Sequence, residues 1–184
     1  MEFKVEFMNN FKQQALECGF DQAGYLKVSD LRFEEDVRKI CESNQCGHYN
    51  KTWACPPAVG TLEECRERCR KYESMLLFNK KYELEDSFDF EGMLDGMEKF
   101  KDTVKKFHKA FPESLNNYLI LANEGCRKCE KCTWPDQPCR FGSELYHPIE
   151  SYGFRVDLMA ADAGLRYYNG PNTVTYFGAV MFRL

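Results

Sequence analysis

Apolar positions along the chain alternate between two periods, and the changes of period divide it into elements. Val5, Met8, Phe11, Ala15 and Leu16 recur at helical spacing with Gly19 beyond them, which predicts an N-terminal helix stopped by glycine. AGYLKV suits a short strand and SMLLFNKKYEL a longer one. Between them, Thr61 and Glu64 form a T-x-x-E capping box that opens a helix over TLEECRERCRKY. Met93, Leu94, Met97, Phe100, Val104 and Phe107 make the apolar stripe of a long helix, with Pro112 past its end. YLILA reads as a buried strand and YGFRVDLMAADAG as a helix closed by Gly164. TVTYFGAVMF, rich in β-branched and aromatic residues, reads as a last strand.

Two stretches follow neither period. Residues 41–60 are rich in Cys, Gly, Asn and Pro, the composition of an irregular loop. Residues 125–139, GCRKCEKCTWPDQPC, follow closely on YLILA. No repeat, low-complexity run or linker interrupts the pattern. The expectation is an α/β (α+β) fold: a single domain over residues 1–184, with a mixed sheet flanked by helices and cysteine-rich loops at their ends.

Composition narrows the class. A chain of 184 residues builds a core without disulfide staples, and 43% hydrophobic residues mark a globular protein. The net charge is −4, from 25 basic and 29 acidic residues, and no basic stripe stands out. That pattern argues against a nucleic-acid partner. MEFKVEFMNNFKQQAL scatters charges and amides among its apolar residues and lacks the uncharged core of a signal peptide. MLLF and YLILA, the longest apolar runs, are too short for a bilayer. These features predict a cytoplasmic protein without a membrane partner. In that reducing compartment the ten cysteines read as metal or redox ligands rather than disulfides.

Cys126, Cys129, Cys132 and Cys139 are spaced C-x2-C-x2-C-x6-C. Metal ligands are thiolates, and two-residue spacers let three sulfurs converge from one tight loop. Zinc ribbons use two C-x2-C pairs set well apart, because one ion needs a tetrahedron of four thiolates. A continuous run of three suits the wider 4Fe-4S cubane better. The fourth cysteine departs from the ferredoxin pattern, which continues x3-C-P. Cys139 is therefore placed either to complete the adjacent cluster or to reach a second site.

Cys41, Cys46 and Cys55 form a second candidate site in a loop where apolar packing is scarce, and the double proline after Cys55 restricts the turn. Reduced, unligated thiols are the plainer reading of the same residues. Cys65 is the better candidate for a fourth ligand, although Cys65 and Cys69 share a helix face with Leu62 and Tyr72, the company of core residues. Cys18 reads as a small buried residue. His48 lies between two candidate ligands, where a loop histidine most often meets water. His108 ends a helix, where its charge suits the dipole. Trp53 and Trp134 sit beside candidate ligands, placed to shield a cluster or simply to pack. Arg127, Lys128, Lys131 and Arg140 surround the second loop with positive charge.

With both cysteine groups in view, the chain resembles a prokaryotic family of predicted metal-binding proteins, domain of unknown function 2284. The resemblance rests on C-x4-C-x2-Y-x3-W-x-C-P-P (Cys41, Cys46, Tyr49, Trp53, Cys55, Pro56, Pro57) and the following GTLEEC. It continues in GCRKCEKCTWPDQPCRF, ESYGFRVDL and TYFGAVMF, covering the chain from about Val37 onward. ESYGFRVDL departs from the EAxGIDV usual there, at a point after both cysteine groups in the sequence. The resemblance implies a cytosolic, metal-binding, iron–sulfur protein of anaerobes. It carries Cys41, Cys46, Cys55, Cys126, Cys129, Cys132 and Cys139 over as ligands, and it supplies no reaction.

Three functions remain open at this stage. One is an electron-transfer protein with one or two 4Fe-4S clusters and a redox partner. Another is an iron–sulfur enzyme that keeps an open iron for a small-molecule substrate, and the third is a structural zinc module. Gly-rich phosphate loops are absent, as is the C-x3-C-x2-C spacing of radical S-adenosylmethionine chemistry.

Overall fold

A computed structural model of the chain describes residues 2–123 and 125–184. Five α-helices and five strands follow one another as α1 (Glu2–Cys18), β1 (Gln22–Lys27), α2 (Glu35–Glu42), α3 (Leu62–Cys69) and β2 (Ser74–Glu83). The order continues with α4 (Phe90–Lys109), β3 (Tyr118–Ala122), β4 (His147–Pro148), α5 (Val156–Asp162) and β5 (Thr173–Phe182). The strands form one mixed sheet in the order β1-β2-β5-β3-β4, antiparallel except for the parallel β3–β4 pair. The class is α+β, with helices against both faces of the sheet.

The central strands are apolar on both faces because both faces are covered. Along β2, Leu76 and Phe78 point into one core while Met75 and Leu77 point into the other. Along β5, Val180 and Phe182 alternate in the same way with Ala179 and Met181. The first core lies under α1 and α4, where Phe11, Phe100 and Phe107 are almost wholly buried. Burying each phenylalanine contributes ~1.5–3 kcal/mol relative to exposure. The second core lies under α3 and α5 and contains Cys65, Cys69, Met159 and Tyr152.

Start and stop signals hold at the level of single bonds. The Thr61 hydroxyl accepts from the Glu64 amide at 3.2 Å, and the Thr61 amide donates to the Glu64 carboxylate at 2.7 Å. Gly19, past α1, has φ +116°, a conformation side chains rarely tolerate. Gly178 is required for space. A Cβ there would meet Phe78 Cε2 at 2.4 Å.

Three elements depart from the sequence reading. Cys41 sits on the last turn of α2 and not in an irregular loop. That short helix has only Val37, Ile40 and Cys41 as apolar positions, and its buried residue is Arg38, whose guanidinium donates to the Ser151 carbonyl and, at 2.6 Å, to the Gly60 carbonyl. Backbone acceptors, not apolar neighbours, hold its inner face. The helix expected from Tyr152 begins only at Val156, because Ile149–Tyr152 form a 3-10 turn ended by Gly153 at φ +76°. The two-residue β4 is too short for any periodicity to announce.

Candidate metal centre

β3 delivers the chain into the loop of Cys126, Cys129, Cys132 and Cys139. The stretch after α2 holds Cys46 and Cys55. These two segments lie far apart in sequence and are fastened together in space. Trp53 Nε1 donates to the Gln137 carbonyl at 3.0 Å, and Trp134 Nε1 donates to Asn50 Oδ1 at 2.9 Å. Each tryptophan thus bonds into the other's loop, and the two rings touch edge to face. A third tie is steric: a Cβ on Gly125 would lie 2.6 Å from His48 Cγ, so only glycine lets the loops approach this closely. The segment of Cys46 and Cys55 is also tied to the sheet, through His147 of β4, whose Nδ1 lies 3.0 Å from the Ala54 carbonyl.

All ten cysteines are free thiols. Cys55 is buried, Cys46 is exposed, and Cys41, Cys126, Cys129, Cys132 and Cys139 are half-buried. Burial pushes the Cys55 thiol up to about 11, and the neighbouring Cys46, Cys41 and Cys126 add to the rise. The Thr52 hydroxyl, buried and without a hydrogen bond of full geometry, offsets part of it. Burial also raises Cys41, opposed by Arg38 and reinforced by Glu150 and Cys46. Cys126 is raised by burial as well; the Lys128 amide and Lys101 oppose this, while Cys139 and Cys129 reinforce it. Cys46, Cys41 and Cys126 are thus near enough to Cys55, and Cys139 and Cys129 near enough to Cys126, to influence them electrostatically.

Backbone amides point at two of the sulfurs. The Phe141 amide donates to Cys139 Sγ at 3.4 Å, and the Lys128 amide serves Cys126. Such donors favour the thiolate and, in a metal centre, the more negative state. Among the described residues, no three or more His, Cys, Asp or Glu side chains are drawn tightly enough together for a single ion. Thiolates on one zinc must share one tetrahedron, whereas those of a cubane meet separate irons. The donor set, all sulfur with amide donors and an indole pair alongside, fits a soft metal or an iron–sulfur cluster.

Cys65 and Cys69 are fully buried in the second core. Arg68 Nη2 donates to Cys65 Sγ at 3.1 Å, so that sulfur already has a cationic neighbour. Burial raises Cys65 against the influence of Arg68 and Arg38, and it pushes Cys69 up to about 12. Cys18 packs half-buried against the first core. The flanking cations are partly engaged: Lys128 pairs with Glu144 and lies 5.2 Å from the Phe141 ring, and Arg140 donates to the Lys131 carbonyl at 3.2 Å.

His108 does something other than complement a helix dipole. Its two ring nitrogens each lie 2.8 Å from a tyrosine hydroxyl, Nδ1 from Tyr146 and Nε2 from Tyr118, and burial lowers its pKa. Neither tyrosine carries a signal in the sequence, because the chain Tyr118–His108–Tyr146 forms only when β3, α4 and the loop before β4 meet. Asn123, buried at the end of β3, was equally silent.

No helix among the described residues is long and apolar enough to cross a membrane. No curated protein and no solved structure matches the chain. A family model described as predicted metal-binding protein matches residues 24–182, from within β1 to the end of β5 and across all seven candidate ligand cysteines. The chain therefore belongs to the predicted metal-binding protein family DUF2284.

Proposed function

We propose that the protein holds iron–sulfur clusters of the 4Fe-4S type in its paired cysteine segments and exchanges single electrons with a partner protein in the cytoplasm of an anaerobe. The observation that carries this reading is the reciprocal tryptophan clamp, which brings together two cysteine-bearing segments separated by 84 positions. Cys126, Cys129, Cys132 and Cys139 would hold one cluster. Cys139 is assigned to that near cluster because it shares a loop with the other three. Cys41, Cys46 and Cys55 would hold a second. Cys65 is left out, since Arg68 already bonds its sulfur within the core.

When bound, such a group supplies reversible one-electron oxidation and reduction. The chain's own residues set the conditions. The Phe141 and Lys128 amides stabilise negative charge on sulfur, and Trp53 and Trp134 hold the two segments together. Lys131 and Arg140 present positive charge to an acidic partner surface.

Anaerobic purification followed by dithionite titration tests the reading. A brown protein that bleaches reversibly is expected, and a colourless protein with stoichiometric zinc would overturn it. One observation favours a second reading, an iron–sulfur enzyme with an open iron, in which Cys139 would serve the second site and leave the cluster at Cys126 one thiolate short. Cys126 borders a solvent-open cavity of about 360 Å³, room enough for a small substrate.

A further inference from the structure

Asn123 is a buried polar side chain for which neither the fold nor the thiol site supplies a use. It is only 6% exposed, and both Oδ1 and Nδ2 lack a hydrogen-bond partner among the described residues. Native interiors carry few such groups, because an amide removed from water without partners is unfavourable. Asn123 lines the cavity beside Cys126. A groove of about 460 Å³ elsewhere, between β1 and α5, borders no cysteine.

The charge around Asn123 is lopsided. Lys101, Lys105, Arg127 and Lys128 line the cavity against two carboxylates, Glu98 and Glu144. Both carboxylates are engaged, Glu98 with Lys101 at 3.4 Å and Glu144 with Lys128. Lys105 pairs in turn with Asp102 at 2.8 Å, so one net positive charge, on Arg127, is left over. Tyr146 lines the same cavity, with its hydroxyl backed by His108. With the imidazole proton on Nδ1, His108 donates to the Tyr146 oxygen and accepts from Tyr118, which leaves the Tyr146 O–H directed elsewhere.

We propose that this cavity binds a small oxyanion that also carries a hydrogen-bond donor, such as a hydroxycarboxylate or hydrogenphosphate. The cations balance its charge, the Asn123 Nδ2 and the Tyr146 hydroxyl donate to its oxygens, and the Asn123 Oδ1 accepts from its hydroxyl. A bare oxyanion satisfies the donors and leaves Oδ1 unpaired, so the site discriminates against it. Because Cys126 borders the cavity, the inference deepens the open-iron reading and rests on it for the ligand's role as a substrate. Binding itself does not depend on which metal the thiols hold.

Isothermal titration of the anaerobically purified full chain tests this, using phosphate against sulfate and glycolate against acetate, with iron, sulfide and zinc counted in the same samples. The donor-bearing member of at least one pair is expected to bind about tenfold or more tightly than its counterpart. Asn123→Leu removes an unpartnered amide, so its melting temperature should hold or rise while that affinity falls about tenfold or more. Lys105→Gln, at a position where the helix tolerates either residue, should weaken binding severalfold and provides a second variant should Asn123→Leu fail to fold. Selective binding in a protein that holds only zinc would support the cavity and remove the cluster. No binding by any of the four anions in a cluster-loaded protein would overturn the proposal and leave the cluster standing. Binding that ignores both the donor and Asn123→Leu would overturn it as well.

Discussion

Trp53 and Trp134 meet edge to face, their ring centroids 4.7 Å apart and their planes at 85°. Each indole also sends its N–H into the opposite segment, so the contact and the two hydrogen bonds form one clamp. Such a pair contributes ~0.5–1.5 kcal/mol beyond the area it buries. Trp53→Ala and Trp134→Ala should therefore couple by about 1 kcal/mol in a double-mutant cycle read by urea unfolding. Strictly additive effects would mean that the two segments are joined by something else.

Gly125 tests the same convergence without touching a thiol. Its missing side chain is where His48 packs, at 2.6 Å from a notional Cβ. Gly125→Ala should lower bound metal per chain by half or more while far-UV circular dichroism stays unchanged, because β3 and α4 end before this point. Full metal content in the variant would show that the segments have slack to spare.

The sheet and its helices were legible in the sequence because their signals are local. Val180 and Phe182 alternate with Ala179 and Met181, and the Thr61–Glu64 box reads directly off the chain. The helix that carries Cys41 was not legible, since its buried residue is Arg38 and a charge facing inward defeats any apolar pattern. Seven candidate cysteines could be proposed from spacing, but how their segments meet could not. That relation depends on side chains at the two ends of an 84-residue separation, Asn50 with Trp134 and Trp53 with Gln137. Asn123 and the tyrosine pair on His108 were invisible for the same reason.

Alkaline stability offers a check on the second core. Cys69 is raised from an ordinary 9.0 to about 12, chiefly by burial. Below pH 9 both the folded and unfolded chains keep the proton. Above it the unfolded chain loses the proton first, so stability falls until the folded thiol also titrates near pH 12. Metal-stripped Cys69→Ala should show a shallower decline across that window, by up to ~1.4 kcal/mol per pH unit. Identical slopes for variant and parent in urea midpoints would contradict the buried placement.

Helix α1 lies outside the residues matched by the family model, yet Phe11 stacks on Phe107 at 5.1 Å and meets Phe182 at 5.6 Å. Phe11→Ala should destabilise the protein by ~3–5 kcal/mol in urea unfolding. A loss below 1 kcal/mol, roughly the scale of a surface substitution, would show that α1 is not part of the core.

Electron paramagnetic resonance of the dithionite-reduced, anaerobically purified protein, with iron, sulfide and zinc counted on the same sample, tests the central claim most directly. The clamped thiol site predicts iron and acid-labile sulfide in equal amounts, with the paramagnetic signal of a reduced 4Fe-4S cluster. Stoichiometric zinc with neither iron nor sulfide, and a silent spectrum, would contradict it.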